Sequence, residues 1–423
     1  MKQIVILFFL ALSFTYFSAK AATPEQIKIA KTEYPTQILY KLWQDHQNDP
    51  NAALRFYNTL DQKHLIEVSS DAPNTATVTY FAKGSEDTDY IMQSGGPDFY
   101  GLRFKQIGNT DIYFCVQKIP TDAFFTYGVN EFKRKKVEGT EQLYQTDMAH
   151  IYDGTVIGPQ APLSNYIVNH KNVAKGIIKE VIIESEYMDE KRKLEVYLPA
   201  NYNPAHAHNL VIQLDGQNFS ADAEQAPAWR GWTPLPTILD NLINEDKITP
   251  TIAVFVHNQG NRSKDLIDDR MADFIALEVL PWAKSNFNVS SDNKHIVLSG
   301  PSRAGFTAAY TALRHSELIG SVLSQSGSFY YTKSDKSNWP IYPEFEGVLI
   351  PGYKDAPTQN IQFYLDVGLY DLGLAAVGTN RRLKDILQLK GYKVEYYEYK
   401  GGHSHLAWRH TLAKGLITLI GNK

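Results

Sequence analysis

From about residue 175 onward, short apolar segments alternate with amphipathic ones, and this alternation constrains the fold more than any other feature of the chain. It predicts strands at 177–185, 191–198, 209–215, 251–257, 295–299, 320–325, 361–367 and 393–399. It predicts helices near 235–245, 270–286, 304–315, 375–390 and 405–420. Leu277, Val279, Leu280 and Trp282 should face the core from one of these helices, and Leu383, Ile386 and Leu387 from another. A strand reached through a crossover helix runs parallel to its predecessor, with helices covering both sheet faces. Only the first two strands, joined by Asp189-Glu190, sit close enough to form an antiparallel hairpin. Residues 166–423 therefore read as an α/β domain around a mostly parallel sheet.

The texture before residue 166 is different. Residues 23–62 read as helical, with Asp49 as an N-cap and Pro50 at the first helical position ahead of Ala52, Leu54, Phe56 and Leu60. From 65 to about 135 the chain is rich in β-branched and aromatic residues, as in Thr77-Val78-Thr79-Tyr80-Phe81 and Asp111 to Gln117. Tyr100, Leu102 and Phe104 alternate onto one face. Gly84, Gly95-Gly96-Pro97, Gly108-Asn109 and Pro120 separate these runs, so a small β-sandwich is predicted. Residues 136–172 carry no strong periodicity, and Gly158-Pro159-Gln160-Ala161-Pro162 marks a connection. The domain pattern is thus a helical segment plus β-domain over 22–165, followed by the α/β domain.

At the start, Lys2, the apolar stretch Ile4 to Phe14 and Ala19-Lys20-Ala21 have the form of a cleavable signal peptide covering 1–21. The apolar stretch is shorter than the ~20 residues a membrane span requires, so no anchor is expected after cleavage. No cysteine follows the stretch to carry a lipid. A periplasmic or secreted location follows. The single cysteine, Cys115, has no partner for a disulfide and sits among apolar residues as a buried strand position. The formal net charge of −4 leaves no basic footprint for nucleic acid.

The chemistry-bearing segment is the strand His295 to Ser299 running into Gly300-Pro301-Ser302-Arg303-Ala304-Gly305 and then a helix. A serine on a sharp strand-to-helix turn is exposed at the sheet edge, and only small neighbours let strand and helix approach. The helix N-terminus behind it offers unpaired amides, of which Arg303 N–H is one oxyanion donor. Such a serine needs a base and an acid, which in this fold follow in the order Ser, Asp or Glu, His. His403, in Gly401-Gly402-His403-Ser404-His405 after the last strand, is the base, with His405 as the alternative. Asp371, beyond the strand 361–367, is the acid, with Asp366 inside that strand as its rival. A second oxyanion donor should come from Asp215-Gly216-Gln217 after strand 209–215, with Gln217 N–H favoured; Asp215 is either a turn residue or shapes the pocket. Triad chemistry calls for no cofactor, and no His/Cys/Asp spacing suggests a metal.

Several segments together resemble the enterochelin (enterobactin) esterase group, a branch of the α/β-hydrolases. They are Leu210 to Gln217, Val254 to Asn258, Leu280-Pro281-Trp282, Gly300 to Gly305, Leu323 to Phe329, Asn380 to Leu383 and Gly401-Gly402-His403, and they occur in family order. The β-rich part resembles the immunoglobulin-like domain that precedes the hydrolase in that group. The resemblance implies triad roles for Ser302, Asp371 and His403, an oxyanion hole from the Gln217 and Arg303 amides, and esters of catecholate siderophores as substrates. Feruloyl and acetyl carbohydrate esterases and acyltransferases belong to the wider family. Ala304 stands where the group has glycine and Arg303 where it commonly has an apolar residue. Export also departs from the cytoplasmic members of the group.

Other flanking residues have two readings each. Trp229, Trp232 and Trp408 either stack on an aryl or sugar ring or pack in the core, with core expected for at least one. Arg262 either holds a catecholate or carboxylate, possible in a ferric siderophore, or pairs with Asp265 or Asp269. The expected partner is a small-molecule ester, with no nucleic acid. A non-catalytic glycan- or siderophore-binding protein on the same scaffold is the rival from another class, and a complete triad argues against it.

Overall fold

The structure is a computed structural model describing Lys28 and residues 31–98, 101–137, 140–144, 150–224, 231–332 and 346–422. The segment 1–21, Tyr100 and Trp229 lie outside the described residues.

Among the described residues the N-terminal unit holds nine strands: β1 His64–Val68, β2 Thr75–Lys83, β3 Thr88–Ser94, β4 Leu102–Arg103, β5 Lys105–Gln106, β6 Ile112–Pro120, β7 Phe124–Val137, β8 Thr140–Tyr144 and β9 His150–Ile157. One sheet has the order β1-β2-β6-β5 and the other β4-β3-β7-β8, with β9 also paired to β7. Every pairing is antiparallel. The period of two along β2 sends Ala76, Val78, Tyr80 and Ala82 into a core shared with Ile91, Phe125, Tyr127 and Val129 of the other sheet. Phe81 points the opposite way. With Ile112 and Phe114 it buries Leu39, Leu42 and Ala53 of the helices Gln37–Asn48 and Ala52–Thr59. Cys115 is a buried strand residue.

Three expectations for this unit change. Asp49 does not open the second helix: its N–H closes the first helix on Asp45 O, and the second begins at Ala52 with Asn51 at the cap. Pro50 occupies the turn between them. Residues 136–172, read as lacking periodicity, contain β8 and β9 and the end of β7. Gly154 of β9 lies under the Tyr127 ring, and a Cβ there would sit 2.6 Å from that ring. Around Leu102 to Phe104 only two-residue strands form, although Phe104 is buried in the shared core with Leu102 packed against it.

The C-terminal unit is a mixed sheet of eight strands, β10 Ile177–Ser185, β11 Glu190–Leu198, β12 Asn209–Leu214, β13 Thr251–Val256, β14 Ile296–Pro301, β15 Ser321–Gln325, β16 Gln362–Gly368 and β17 Lys393–Tyr399. Their order is β10-β11-β13-β12-β14-β15-β16-β17. The β10–β11 and β11–β13 pairs are antiparallel and the rest parallel. Ile212, Val254, Leu298, Val322 and Leu365 face one layer of helices, which contributes Met271, Phe274, Phe306, Leu383 and Leu387. Their strand neighbours Val211, Ala253, Val297, Leu323 and Tyr364 face the helices Leu235–Asn244 and His405–Ile420. Burial on both faces explains why these strands read as continuous apolar runs.

The predicted helix near 270–286 forms with a π segment, Ile275–Val279, at its centre. The wider turn shifts the phase of the apolar stripe, so Val279 and Leu280 are buried while Leu277 is exposed, against expectation. A helix at Leu349–Asp355 was not among those predicted, and Pro351 and Gly352 within it have the poorest helix propensities of all residues. Its burial of Leu349, Ile350 and Tyr353 overrides that propensity.

Candidate active site

Ser302, Asp371 and His403 all follow the C-terminal ends of parallel strands. Ser302 follows β14 and begins the helix Arg303–Arg314 with φ 57° and ψ −123°, a conformation that non-glycine residues rarely adopt. The backbone is held there from both sides. Ser302 N–H donates to Gln325 O at the end of β15 (2.8 Å), and Ser302 O accepts from Ser328 N–H (3.0 Å). The small residues around the turn are sterically required: a Cβ on Gly300 would stand 2.6 Å from Ala304 Cβ, and one on Gly305 2.3 Å from Ser324 Oγ. Arg303 N–H lies ahead of the first helical bond, which runs from Phe306 N–H to Ser302 O.

Strand β12 pairs directly with β14, so the turn after β12 is the neighbour of this elbow. Asp215 there adopts a left-handed conformation (φ 57°) and leads into the short helical turn Gly216–Asn218. The Gln217 amide opens that turn, ahead of the bond from Asn218 N–H to Asp215 O. The Asp215 carboxylate is 4% exposed and accepts Arg262 Nε (2.6 Å), Arg262 Nη2 and Asn258 Nδ2. Arg262 thus pairs with Asp215 rather than with Asp265 or Asp269. The sequence distance between the two residues hid a contact that the adjacency of β12 and β13 creates. Arg303 Nη1 donates to Ser263 O in the same loop (2.7 Å).

On the other side, β15, β16 and β17 are consecutive neighbours. Asp371, fully buried, follows β16 and accepts His403 Nδ1 at 2.7 Å through Oδ1. His403 is 20% exposed, so part of its ring remains accessible. Trp408 packs edge-on against His403, with ring centroids 5.0 Å apart, and its indole N–H donates to Ser326 Oγ (3.1 Å). It is 6% exposed and therefore supports the histidine rather than forming a wall for a ligand, which corrects the stacking reading for this tryptophan. Trp232 is half-buried, and its carbonyl accepts from Arg409.

The alternatives sit elsewhere. His405 Nδ1 meets Thr233 Oγ1 (2.9 Å), and burial together with the positive charge of Arg409 brings its pKa down to about 3. His315 pairs with Asp273. His410 accepts Ser164 N–H. Asp366 lies inside β16, fully buried, with no hydrogen bond of good geometry to either oxygen. Burial pushes its pKa up to about 7, against the weaker pull of Thr411 and Gln325.

Ser302 Oγ contacts Ser328 Oγ (3.3 Å), which in turn reaches Tyr330 OH (3.4 Å), rather than hydrogen-bonding to His403. Burial raises the pKa of the Tyr330 hydroxyl against the opposing hydrogen bond with Ser328, and the Asp371 and Arg303 charges act on it with opposite signs. Sequence reading gave Ser328 and Tyr330 no role. The cue was Ser326-Gly327-Ser328 directly after β15, a second turn at the same sheet edge.

Residues 185–419 match the family described as "Putative esterase". Among curated proteins, the iron(III) enterobactin esterase of Escherichia coli (strain K12) is 27% identical over 57% of this chain and 56% of its own length. The corresponding enzyme of Dickeya dadantii (strain 3937) is 27% identical over 56% of this chain and 53% of its own. The chain therefore spans little more than half the length of these relatives. Among solved structures, the enterobactin esterase of Shigella flexneri, determined in the presence of enterobactin, superposes with a TM-score of 0.67 at 20% identity, covering 86% of this chain and 97% of that one. That likeness reports the fold, an α/β architecture shared with enterochelin esterases. With more than half of its residues inside the family match, the chain belongs to the Putative esterase family and is enterochelin esterase-like within it.

Proposed function

We propose that this protein is an exported serine carboxylic-ester hydrolase in which Ser302, His403 and Asp371 form the catalytic triad. The observation that carries the reading is the 2.7 Å bond between His403 Nδ1 and a fully buried Asp371, at the same sheet edge as a serine strained to φ 57°. In the reaction, Ser302 Oγ turns from Ser328 toward His403 Nε2, loses its proton to it and attacks the ester carbonyl. The Gln217 and Arg303 amides hold the oxyanion. Collapse of the tetrahedral intermediate breaks the C–O bond, and His403 gives its proton to the departing alcohol. Water then repeats the sequence on the acyl-enzyme, returning the acid and free Ser302. Asp371 fixes the imidazole tautomer throughout.

For substrate, the reading is an aryl-containing ester of the catecholate siderophore class. The names of the curated relatives support it. Arg262, 37% exposed with Nη1 not committed to Asp215, and Arg303, whose guanidinium donates to Ser263 O beside it, supply positive charge next to the elbow for an anionic aryl group. The N-terminal unit is read as an immunoglobulin-like sandwich, supported by its two antiparallel sheets around one core. Among the described residues no helix is long and apolar enough to cross a membrane. Export itself rests on the sequence of residues 1–21.

A fluorophosphonate probe on the purified chain, followed by peptide mapping, tests the nucleophile; an adduct on Ser299, Ser326 or Ser328 sinks the assignment. Competitive rates on a catechol-serine trilactone, a feruloyl sugar ester and a long-chain acyl ester test the substrate class. The trilactone is expected to lead. A lead for the long-chain ester removes the aryl reading, and a lead for the sugar ester moves it to carbohydrate. N-terminal sequencing from the native host should find a start near Ala22.

A further inference from the structure

The loops carrying Asp371 and His403 are not held by the α/β unit alone. Three backbone segments stack at one corner: Gly368 to Asp371 after β16, Lys400 to His403 after β17, and Asp122 to Phe125 at the entry to β7 of the N-terminal unit. Phe124 N–H donates to Lys400 O (2.9 Å), Tyr370 N–H to Gly401 O (2.9 Å), and Leu369 N–H to Tyr399 O (2.8 Å). The approach leaves no room for side chains. A Cβ on Gly368 would stand 2.2 Å from Gly401 O, and one on Gly401 2.9 Å from Phe124 O.

Side chains lock the same corner. Tyr370, the residue before Asp371, leaves its own unit and packs against the β-domain core, where it meets the Phe125 ring edge-on (5.6 Å, 89°). Phe125 is 1% exposed. Phe124 stacks on Tyr399 (5.7 Å) in an apolar cluster with Leu406 and Ala407 of the last helix. The two loops have reason to need this support. Gly401-Gly402 is the most permissive dipeptide a loop can have, and Leu372, after Asp371, is held at φ 26°.

We propose that the N-terminal β-domain is part of the catalytic apparatus, with Phe125 and Tyr370 as positioning residues that fix the Asp371 and His403 loops relative to Ser302. This rests on the proposed triad. The grip sets where the 2.7 Å Asp371–His403 pair sits, and so where His403 Nε2 meets the nucleophile. A shift of about 1 Å in such a group costs up to ~100-fold in turnover.

The test uses the full chain and a small soluble ester, p-nitrophenyl acetate, which makes few contacts beyond the reacting centre. Tyr370→Ala should lower kcat ~10- to 100-fold with KM within about twofold, since ground-state binding is untouched. Tyr370→Phe keeps the ring that Phe125 grips and should restore kcat to within about threefold of the native value. Phe125→Leu, a smaller change that keeps the β-domain core apolar, should lower kcat in the same selective way. Combined with Tyr370→Ala it should add little, because both act through one contact. Unchanged kcat in a folded Tyr370→Ala or Phe125→Leu overturns the inference, and so does full additivity of the pair. Probe labelling of the native chain separates the two levels. No adduct on Ser302 brings down the triad reading, whereas normal labelling with indifferent variants brings down only the role of the β-domain.

Discussion

The two halves of the site are built in opposite ways. The elbow half, Ser302 with the turn after β12, is held by the sheet it grows from: Ser302 hydrogen-bonds Gln325 O and Ser328 N–H, and Asp215 locks the loop of Arg262. The acid–base half hangs on loops after β16 and β17 and borrows its rigidity from another unit, through Phe124 and Phe125. A group that attacks must be strained and exposed, and local geometry supplies both. A group that hands protons back and forth must be aimed, and aiming needs a distant support.

The largest effects should come from removing chemistry while leaving both halves standing. Ser302→Ala should abolish probe labelling and reduce ester turnover on the order of 10⁴-fold or more. It leaves the backbone at φ 57°, so stability should hardly change. Ser302→Gly should lose activity equally but melt higher than Ser302→Ala, because glycine accepts that conformation without strain. Equal melting temperatures for the two would remove the strain argument. Asp371→Asn should keep the fold and cut turnover ~10⁴-fold, since an amide favours the wrong imidazole tautomer.

Asp366 gives the sharpest contrast with Asp371, five residues away. Asp366→Asn should leave kcat within about threefold of the native value and act on stability instead. The sign follows from its pKa of about 7 in the folded chain against an ordinary value of 3.8. Its contribution is fully present below about pH 4 and is lost as pH rises toward 7, by a total of ~4 kcal/mol. The buried histidines His64, His405 and His410 have lowered pKa values and act oppositely, losing stability as pH falls below the usual histidine range. Comparing native and Asp366→Asn unfolding at each pH cancels them. The variant should gain on the native chain steadily between pH 4 and 7. A flat difference would mean that Asp366 is not the buried acid described here.

Reading the sequence recovers the elbow half better than the other. Strand-to-helix alternation and Gly300 to Gly305 are local signals, and every strand of the C-terminal sheet lies within a few residues of expectation. His403 and Asp371 were legible only as positions past strand ends, with His405 and Asp366 left open, because the choice depends on which side chains face each other across β16 and β17. Trp408 was left open between a ligand wall and the core, and its ring backs His403. The strands β8 and β9 were missed because their periodicity comes from pairing with β7, and the Arg262–Asp215 pair because 47 residues separate its members. Nothing local in Asp122 to Phe125 announces that it grips the histidine loop.

Within the elbow half, Arg262→Ala should have an intermediate effect. It strips a buried carboxylate of its two-pronged donor and leaves Asn258 alone to satisfy Asp215. The cost should be on the order of 1–3 kcal/mol of stability, that of an undersatisfied buried acceptor. Arg262→Lys should recover only part of it, since an ammonium cannot reproduce the fork. Full recovery by lysine in chemical denaturation would show that charge alone, not geometry, holds the turn beside Gln217.

The smallest effect is expected where the structure shows an obvious ion pair. Lys400 Nζ lies 2.8 Å from the Asp122 carboxylate and bridges the two units beside the histidine loop. Both side chains are more than a third exposed, at 37% and 43%. Water and salt screen such a pair, and ordering a long lysine costs side-chain entropy, so exposed pairs contribute ~0–1 kcal/mol. The contact that fixes the loop at this residue is Phe124 N–H to Lys400 O, which a change of side chain leaves intact. Lys400→Ala should therefore lower stability by less than about 1 kcal/mol, with the difference vanishing at high ionic strength, and change kcat by less than about twofold. A loss of turnover comparable to that of Tyr370→Ala, persisting in high salt, would mean that the units are joined by charge, and that the apolar grip of Phe125 on Tyr370 is secondary.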